Sequence, residues 1–130
     1  MVAEPVPTRS VGKRLQYVAS LLARAGRLPA APLLVWREAD AVLHAPVGGQ
    51  LVVGRAPGEG LALKDDQLLS RRHFKVQMAG DICVLEDLKS RNGTRVNETE
   101  KIAKPRELHD GDLIHAGNHI FAYLDQRKLT

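Results

Sequence analysis

Three short clusters of polar residues stand out in this sequence by their chemistry. They are Gly54-Arg55, Ser70-Arg71-Arg72-His73 and Ser90-Arg91-Asn92-Gly93-Thr94. Arginine, serine and asparagine side chains present hydrogen-bond donors, and a guanidinium is always charged and suited to bidentate bonds. Loops that lie between strands can hold such groups towards a ligand. These residue types favour a binding site.

No other pattern in the sequence indicates an enzyme or a metal site. Asp110 and Asp112 flank a glycine and are more typical of a turn than of a catalytic pair of carboxylates. The loop RAPGEG (55–60) lacks the Gly-Lys-Ser/Thr ending of a Walker nucleotide loop. Cys83 and the histidines outside the clusters have no metal-ligand spacing. These histidines are His44, His109, His115 and His119. We expect no catalytic activity, no metal ion and no cofactor.

The elements that position the three clusters are predicted to be short β-strands. The predicted strands are 33–37, 41–45, 50–54, 73–78, 81–87, 94–97, 112–115 and 119–124. Turn residues separate them every eight to twelve positions, a spacing typical of a β-sandwich or barrel. Asn92-Gly93 predicts a two-residue hairpin turn, because both residues tolerate a positive φ. The fold class is therefore all-β, with one helix before the strands.

That helix is predicted from about Thr8 or Ser10 to near Gly26. Its apolar residues recur at spacings of four and three, as in an amphipathic helix. They are Val11, Leu15, Val18, Leu22 and Ala25. The helix either packs on the β domain or mediates contact with a partner or a second copy of the chain. We predict a tail, helix and linker over 1–32, a β domain over 33–126 and a C-terminal tail over 127–130.

The net charge of +4 is confined to the N-terminal part of the chain. Residues 1–32 carry five basic side chains and one acidic side chain, whereas the remaining 14 basic and 14 acidic side chains balance. Nucleic-acid binding through residues 9–27 would rest on this charge alone. Since aromatic residues make up only 4% of the chain, few rings could stack on bases, and we expect no nucleic-acid partner.

The cellular location is predicted from cysteine use and hydropathy. A lone cysteine, Cys83, cannot form an internal disulfide and fits a reducing compartment. The sequence contains no run of 18 apolar residues, so no membrane span is predicted. Ser20 and Arg24 interrupt the apolar stretch that most resembles a signal peptide. We expect a cytoplasmic protein.

Five motifs follow one another from Leu51 to about Leu124. They are G-R (54–55), S-x-x-H (70–73), S-x-N-G-T (90–94), V-N (96–97) and L-x-x-G-D (108–112). In this order and spacing the sequence resembles the forkhead-associated (FHA) family, and SRRH with SRNGTRVN is similar to its small stand-alone bacterial members. The resemblance implies a β-sandwich of about eleven strands whose loops at one end bind phosphothreonine peptides.

The resemblance also implies which residues bind the phosphopeptide. Arg55 would be the main phosphate ligand, supported by the Ser70 hydroxyl and by Arg71. Asn92 would hydrogen-bond the peptide backbone on both sides of the phosphothreonine, with Arg91 beside it. A phosphothreonine carries about −1.5 to −2 charges and three acceptor oxygens, which guanidinium and hydroxyl donors match.

Other residues of the clusters are expected to support the site. By resemblance, His73 braces the binding loops from a buried position, and Gly54 and Gly93 provide the backbone conformation. Ser90 and Thr94 are expected to stabilise their own loop.

The function implied is that of a phosphothreonine-peptide-binding adaptor in Ser/Thr kinase signalling. Its partner would be a kinase substrate or the kinase itself, and the Ala-, Leu- and Arg-rich composition favours a bacterial source. The alternative is a scaffold of the same fold that binds a partner independently of phosphate, in a secretion or envelope assembly. Since some family members bind their own phosphorylated tail, Thr8 is a lesser candidate for self-recognition.

Overall fold

The computed structural model describes residues 8–128, with side chains described from residue 13 to residue 127. Its elements are α1 (Thr8–Arg24), β1 (Leu33–Glu38), β2 (Ala41–Pro46), β3 (Gln50–Gly54), β4 (Leu61–Ala62), β5 (Phe74–Ala79), β6 (Ile82–Asp87), β7 (Thr94–Val96), β8 (Arg106–Leu108), β9 (Leu113–Ala116), β10 (His119–Leu124) and a 3-10 helix (Gln126–Lys128).

The all-β class with one N-terminal helix is confirmed. Ten strands lie in the described range, against about eleven expected. The short β4 and β8 were not predicted, because two or three residues show no periodicity.

The ten strands form two five-stranded sheets. The first sheet has the order β2-β1-β10-β9-β7, and the second has the order β4-β3-β5-β6-β8. Neighbouring strands pair antiparallel, except for the short parallel pair of β3 and β4. Since β3, β5 and β6 are neighbours in the second sheet, the loops that leave their paired ends lie side by side.

The two sheets enclose the main core. Phe74 of the second sheet meets Phe121 of the first edge to face, with ring centroids 5.5 Å apart, and Trp36 lies 5.7 Å from the same ring. Aromatic rings provide large buried apolar areas and dominate core energetics. The core therefore joins the sheets close to the start of β5, directly after the Ser70 cluster.

Helix α1 covers the outer face of the first sheet. Leu15 and Ala19 pack on Val35 of β1 and Ala122 of β10, and all four are buried. This cover explains why β1 begins with the continuous apolar run LLVW: its side chains face the helix on one side and the sandwich core on the other. The helix thus packs on the domain. Within the described residues, no helix is long and apolar enough to cross a membrane.

The predicted apolar stripe of α1 is only partly right. Leu15 and Leu22 face the sheet, but Val18 and Ala25 are exposed, and Ala19 and Ala23 take their places. The side chains of Thr8 and Val11 lie outside the described residues. Alanine lets the helix approach the sheet closely, and Ala25 lies beyond the end of the helix, so it no longer follows the helical spacing.

The predicted Asn92-Gly93 hairpin is wrong. Strand β6 before this turn belongs to the second sheet, and strand β7 after it belongs to the first, where it pairs with β9. In the intervening segment only Lys89 (φ 57°) and Gly93 (φ 82°) have a positive φ, so Asn92 does not take a type I′ turn. The segment 88–93 is a loop that crosses from one sheet to the other.

Candidate functional site

Three loops that carry the polar clusters meet at one end of the sandwich. They are the β3–β4 loop (55–60), the β4–β5 loop (63–73) and the β6–β7 loop (88–93). The backbone N–H of Arg55 donates to the Ser70 carbonyl at 2.9 Å, and the backbone N–H of Arg91 donates to Ser70 Oγ at 2.9 Å. The Asn92 amide donates to the Leu68 carbonyl at 2.9 Å. The β4–β5 loop therefore touches both of the others and brings the predicted phosphopeptide ligands together.

His73 lies beneath these loops with no exposed surface. Its Nδ1 accepts a hydrogen bond from the backbone N–H of Ser70 at 3.0 Å. An imidazole nitrogen that accepts carries no proton, so Nε2 holds the proton and donates it to the Gly93 carbonyl at 2.8 Å. One buried ring therefore ties the β4–β5 loop to the β6–β7 loop.

Two glycines allow close approaches of the backbone at this end. A Cβ on Gly54 would lie 2.1 Å from the Arg71 carbonyl oxygen, so any side chain here would push the end of β3 and the β4–β5 loop apart. Gly93 has a φ of 82°, and a Cβ there would lie 2.5 Å from the Lys101 side chain. The left-handed conformation is freely available only to glycine.

Three arginine side chains lie at the site: Arg55, Arg71 and Arg91. The Nε of Arg55 donates to the Leu69 carbonyl at 3.3 Å, which orients a half-buried guanidinium. Arg71 and Arg91 are exposed. Between residues 13 and 127, where side chains are described, none of the three guanidinium groups forms an ion pair. The Ser70 hydroxyl accepts a bond from Arg91, so its own proton is available for donation.

Asp87 is an anchor of the β6–β7 loop that the sequence analysis missed. Its carboxylate accepts hydrogen bonds from the Ser90 backbone at 3.0 Å, from the Ser90 hydroxyl and from the Thr94 hydroxyl at 2.7 Å. Partial burial raises the pKa of Asp87, but these hydrogen bonds outweigh it and hold the pKa below its ordinary value. The signal was present, because an aspartate at a strand end often accepts bonds from the following turn.

The arrangement is suited to binding an anion. Its charged and neutral donors lie on three loops in contact, and His73 and Asp87 beneath them are hydrogen-bonded to these loops. Among the described residues, no group of three or more His, Cys, Asp or Glu side chains could hold a metal ion.

Comparison with known proteins agrees with this geometry. The FHA domain model matches residues 51–117, just over half of the chain. The FHA domain-containing protein FhaA of Mycobacterium tuberculosis is 36% identical over 70 residues, which make up 54% of this chain and 13% of FhaA. The chain thus corresponds to a small part of that relative.

Two solved structures show the same fold. An FHA domain from a structural and functional analysis of phosphothreonine-dependent FHA domain interactions has a TM-score of 0.61 and 27% identity, covering 72% of this chain and 95% of that chain. The FhaA FHA domain, solved in complex with the intracellular domain of Rv3910, has a TM-score of 0.60 and 28% identity, covering 72% and 99%. By its family model, its sequence identity and its two-sheet fold, the chain belongs to the FHA domain family.

Proposed function

We propose that this chain binds phosphothreonine peptides through the end of the sandwich where the three loops meet. The FHA domain is an interaction module. The relative solved in a study of phosphothreonine-dependent interactions supports the ligand class for this chain. The ligand residues proposed are Arg55, Ser70, Arg71, Arg91 and Asn92.

The observation that carries this proposal is that Arg55, Arg71 and Arg91, which form no ion pair among the described side chains, lie on loops joined by hydrogen bonds to Ser70. A phosphate ester offers three acceptor oxygens and nearly two negative charges at neutral pH. Arg55 is tied at Nε, so its two terminal nitrogens are free to bind phosphate oxygens side by side. Each charge-assisted hydrogen bond contributes about 1.5–3 kcal/mol, so a few of them give roughly micromolar affinity for a short peptide.

Asn92 is proposed to hold the peptide backbone. One N–H of its amide bonds the Leu68 carbonyl, so the second N–H and the amide carbonyl remain for the peptide. These two amide groups would fix the position of the peptide backbone relative to the residues that bind the phosphate. We propose that the site prefers phosphothreonine to phosphoserine, because burial of the extra methyl group adds about 0.8 kcal/mol.

We further propose that the protein is a non-enzymatic adaptor for Ser/Thr kinase signalling in the cytoplasm. Its partner would be a Thr-phosphorylated kinase substrate or the kinase itself. The FhaA domain bound to an intracellular domain supports a protein partner, and the free, buried Cys83 fits a reducing compartment. Residues 33–126 are proposed as the binding domain, with 1–32 as its helical N-terminal part and 127–130 as a short tail.

The proposal is tested by calorimetric titration of one peptide in three forms: phosphothreonine, phosphoserine and unphosphorylated threonine. We expect micromolar binding of the first, weaker binding of the second and none of the third. The peptide is chosen from a phosphothreonine library screened on the parent protein. Arg55→Ala and Ser70→Ala should abolish or sharply weaken binding. Since both residues are partly buried and hydrogen-bonded to neighbouring loops, each titration is run at a temperature where the melting curve shows that the variant is folded.

Arg72→Ala is the matched control, since Arg72 is an exposed arginine next to Arg71 that is not assigned to the site. Its affinity should stay within about threefold of the parent. Parental binding by Arg55→Ala and Ser70→Ala would show that the site is wrongly assigned. Capture of a partner that survives phosphatase treatment would favour the phosphate-independent scaffold instead.

A further inference from the structure

Asp66, in the β4–β5 loop, is a buried carboxylate outside the proposed ligand set. Only 3% of the residue is exposed. It accepts hydrogen bonds from the Leu68 backbone at 3.0 Å, from the Asn118 backbone at 2.7 Å and from the Asn118 amide at 2.9 Å. Burial raises the pKa of Asp66, but the bonds from His119, Asn118 and Leu68 outweigh it and hold the pKa below its ordinary value. The carboxylate is therefore fully engaged by donors.

His119 joins this carboxylate to the first sheet. Its Nδ1 lies 2.6 Å from Asp66 Oδ2, and its Nε2 lies 2.5 Å from Glu38 Oε1. Each ring nitrogen therefore lies within hydrogen-bonding distance of a carboxylate, and the ring bridges Asp66 and Glu38. The ring also stacks on the buried Phe121, with centroids 5.8 Å apart. Asp66 is thus anchored to a rigid part of the opposite sheet.

The β9–β10 turn approaches the Asp66 carboxylate closely at Gly117. A Cβ on Gly117 would lie 2.7 Å from Asp66 Oδ2, so the β9–β10 turn lies directly against the carboxylate. Gly117 has a φ of 57°. Small changes in this contact would therefore be passed on to the loop that carries Asp66.

Two residues that follow Asp66 in the same loop, Leu68 and Leu69, have carbonyls that orient the proposed ligand residues. The Leu68 carbonyl accepts from the Asn92 amide, and the Leu69 carbonyl accepts from Arg55 Nε. The Asp66 carboxylate also accepts the Leu68 N–H, which sets the direction of this short segment. Hydrogen bonds therefore connect His119 to the Asp66 carboxylate, the carboxylate to Leu68, and Leu68 to Asn92. The link to Arg55 is through Leu69, whose N–H donates to the Asp66 backbone carbonyl at 3.2 Å.

We infer that Asp66 is a positioning residue of the phosphopeptide site, which it aligns by holding the Leu68 and Leu69 carbonyls against the β9–β10 turn. This inference rests on the proposed function and deepens it. Asp66 does not touch the phosphate. It sets the direction from which Arg55 and Asn92 meet the peptide, with Asn118 and His119 as its anchors.

Asp66→Asn tests the inference, because it keeps the volume but presents an NH₂ group to donors. The matched control is Asp112→Asn in the β8–β9 turn at the opposite end, where the carboxylate accepts from the His109 backbone at 2.9 Å and from the Asn97 amide at 3.2 Å. The readouts are the melting temperature, the affinity for the phosphothreonine peptide and the NMR signals of Arg55 Nε–H and Asn92 Nδ2–H in the free protein.

We expect Asp66→Asn to weaken phosphopeptide binding about tenfold and to shift both NMR signals, whereas Asp112→Asn leaves affinity within about twofold and the signals unchanged. Equal affinity and unchanged signals in Asp66→Asn would overturn the inference. So would an equal loss of affinity in both variants at matched loss of stability, because that would show a general structural effect.

A milder variant keeps the test decisive if Asp66→Asn does not fold. Asn118→Ala removes one side-chain bond to Asp66 from an exposed turn, and should shift the same two NMR signals and weaken binding about threefold. Unchanged signals would contradict the inference. The proposed function fails separately, when the parent protein itself does not bind the phosphopeptide, and in that case the NMR signals still decide whether Asp66 orients the two side chains.

Discussion

Truncation of His73 should damage both the stability of the domain and its binding site. The imidazole has no exposed surface and makes two hydrogen bonds, one to each of two loops. In His73→Ala the Ser70 N–H and the Gly93 carbonyl lose their partners. Each unpaired buried group costs about 1–3 kcal/mol, so the free energy of unfolding should fall by about 2–6 kcal/mol. Entry of water into the vacated space would bring the loss towards the lower figure.

For a domain of this size, a loss of 2 kcal/mol corresponds to a melting temperature lower by roughly 6 °C or more. Thermal and urea unfolding followed by circular dichroism would measure this, together with titration of the phosphothreonine peptide at a temperature where the variant is folded. Affinity should fall even in the folded fraction, because the two loops are no longer tied together.

Two further variants sharpen the measurement. His44→Ala removes an exposed histidine from β2 and should leave stability within about 0.5 kcal/mol of the parent. His73→Asn restores an acceptor for the Ser70 N–H but cannot reach the Gly93 carbonyl, so it should fall between the parent and His73→Ala. If His73→Ala melted and bound peptide like the parent, the bracing role of the imidazole would be refuted.

Three other predictions follow from the geometry. Gly54→Ala should lower the melting temperature and the peptide affinity, because its Cβ would lie 2.1 Å from a backbone oxygen; Gly49→Ala, where no atom lies within 4 Å, should change neither. Leu15→Ala should lower the free energy of unfolding in urea by about 2 kcal/mol or more, and Val18→Ala on the exposed side of α1 by less than about 1 kcal/mol; equal losses would contradict the helix orientation. Folding lowers the pKa of Asp87, so the ionised carboxylate stabilises the folded state. This stabilisation is fully present above the unfolded pKa of about 3.9 and is lost as the pH falls through the folded pKa. Urea unfolding at stepped pH should therefore show a shallower loss of stability below about pH 4 in Asp87→Asn than in the parent.

Much of the fold was predictable because its signals are local. The alternation of HFKVQM, the apolar run LLVW and the turn at Gly117-Asn118 each depend on residues next to one another in the chain. The strands predicted from them agree with the structure within one or two residues. The buried face of α1 was predicted less accurately, because the residues that a helix buries depend on the surface on which it packs.

The candidate site was predictable only as far as its residue types and their order. Arg55, Ser70 and Asn92 belong to motifs that indicate the kind of ligand bound, and the structure places all three on loops in contact. The pairing partners were not predictable in the same way. Asp66 and His119 are separated by 53 residues, and no periodicity links them.

The Asn92-Gly93 turn shows the same division within one loop. Its composition indicates a chain reversal, and Gly93 does have the positive φ expected. Whether the two flanking strands pair with each other depends on which other strands are available to pair with each of them. Strand β7 pairs with β9 in the opposite sheet, and the loop consequently reaches across the end of the sandwich. Local preferences act within a few residues and are written in the order of the chain, whereas sheet partners, buried networks and the meeting of loops arise from contacts between segments far apart in sequence, which form only when the whole chain packs.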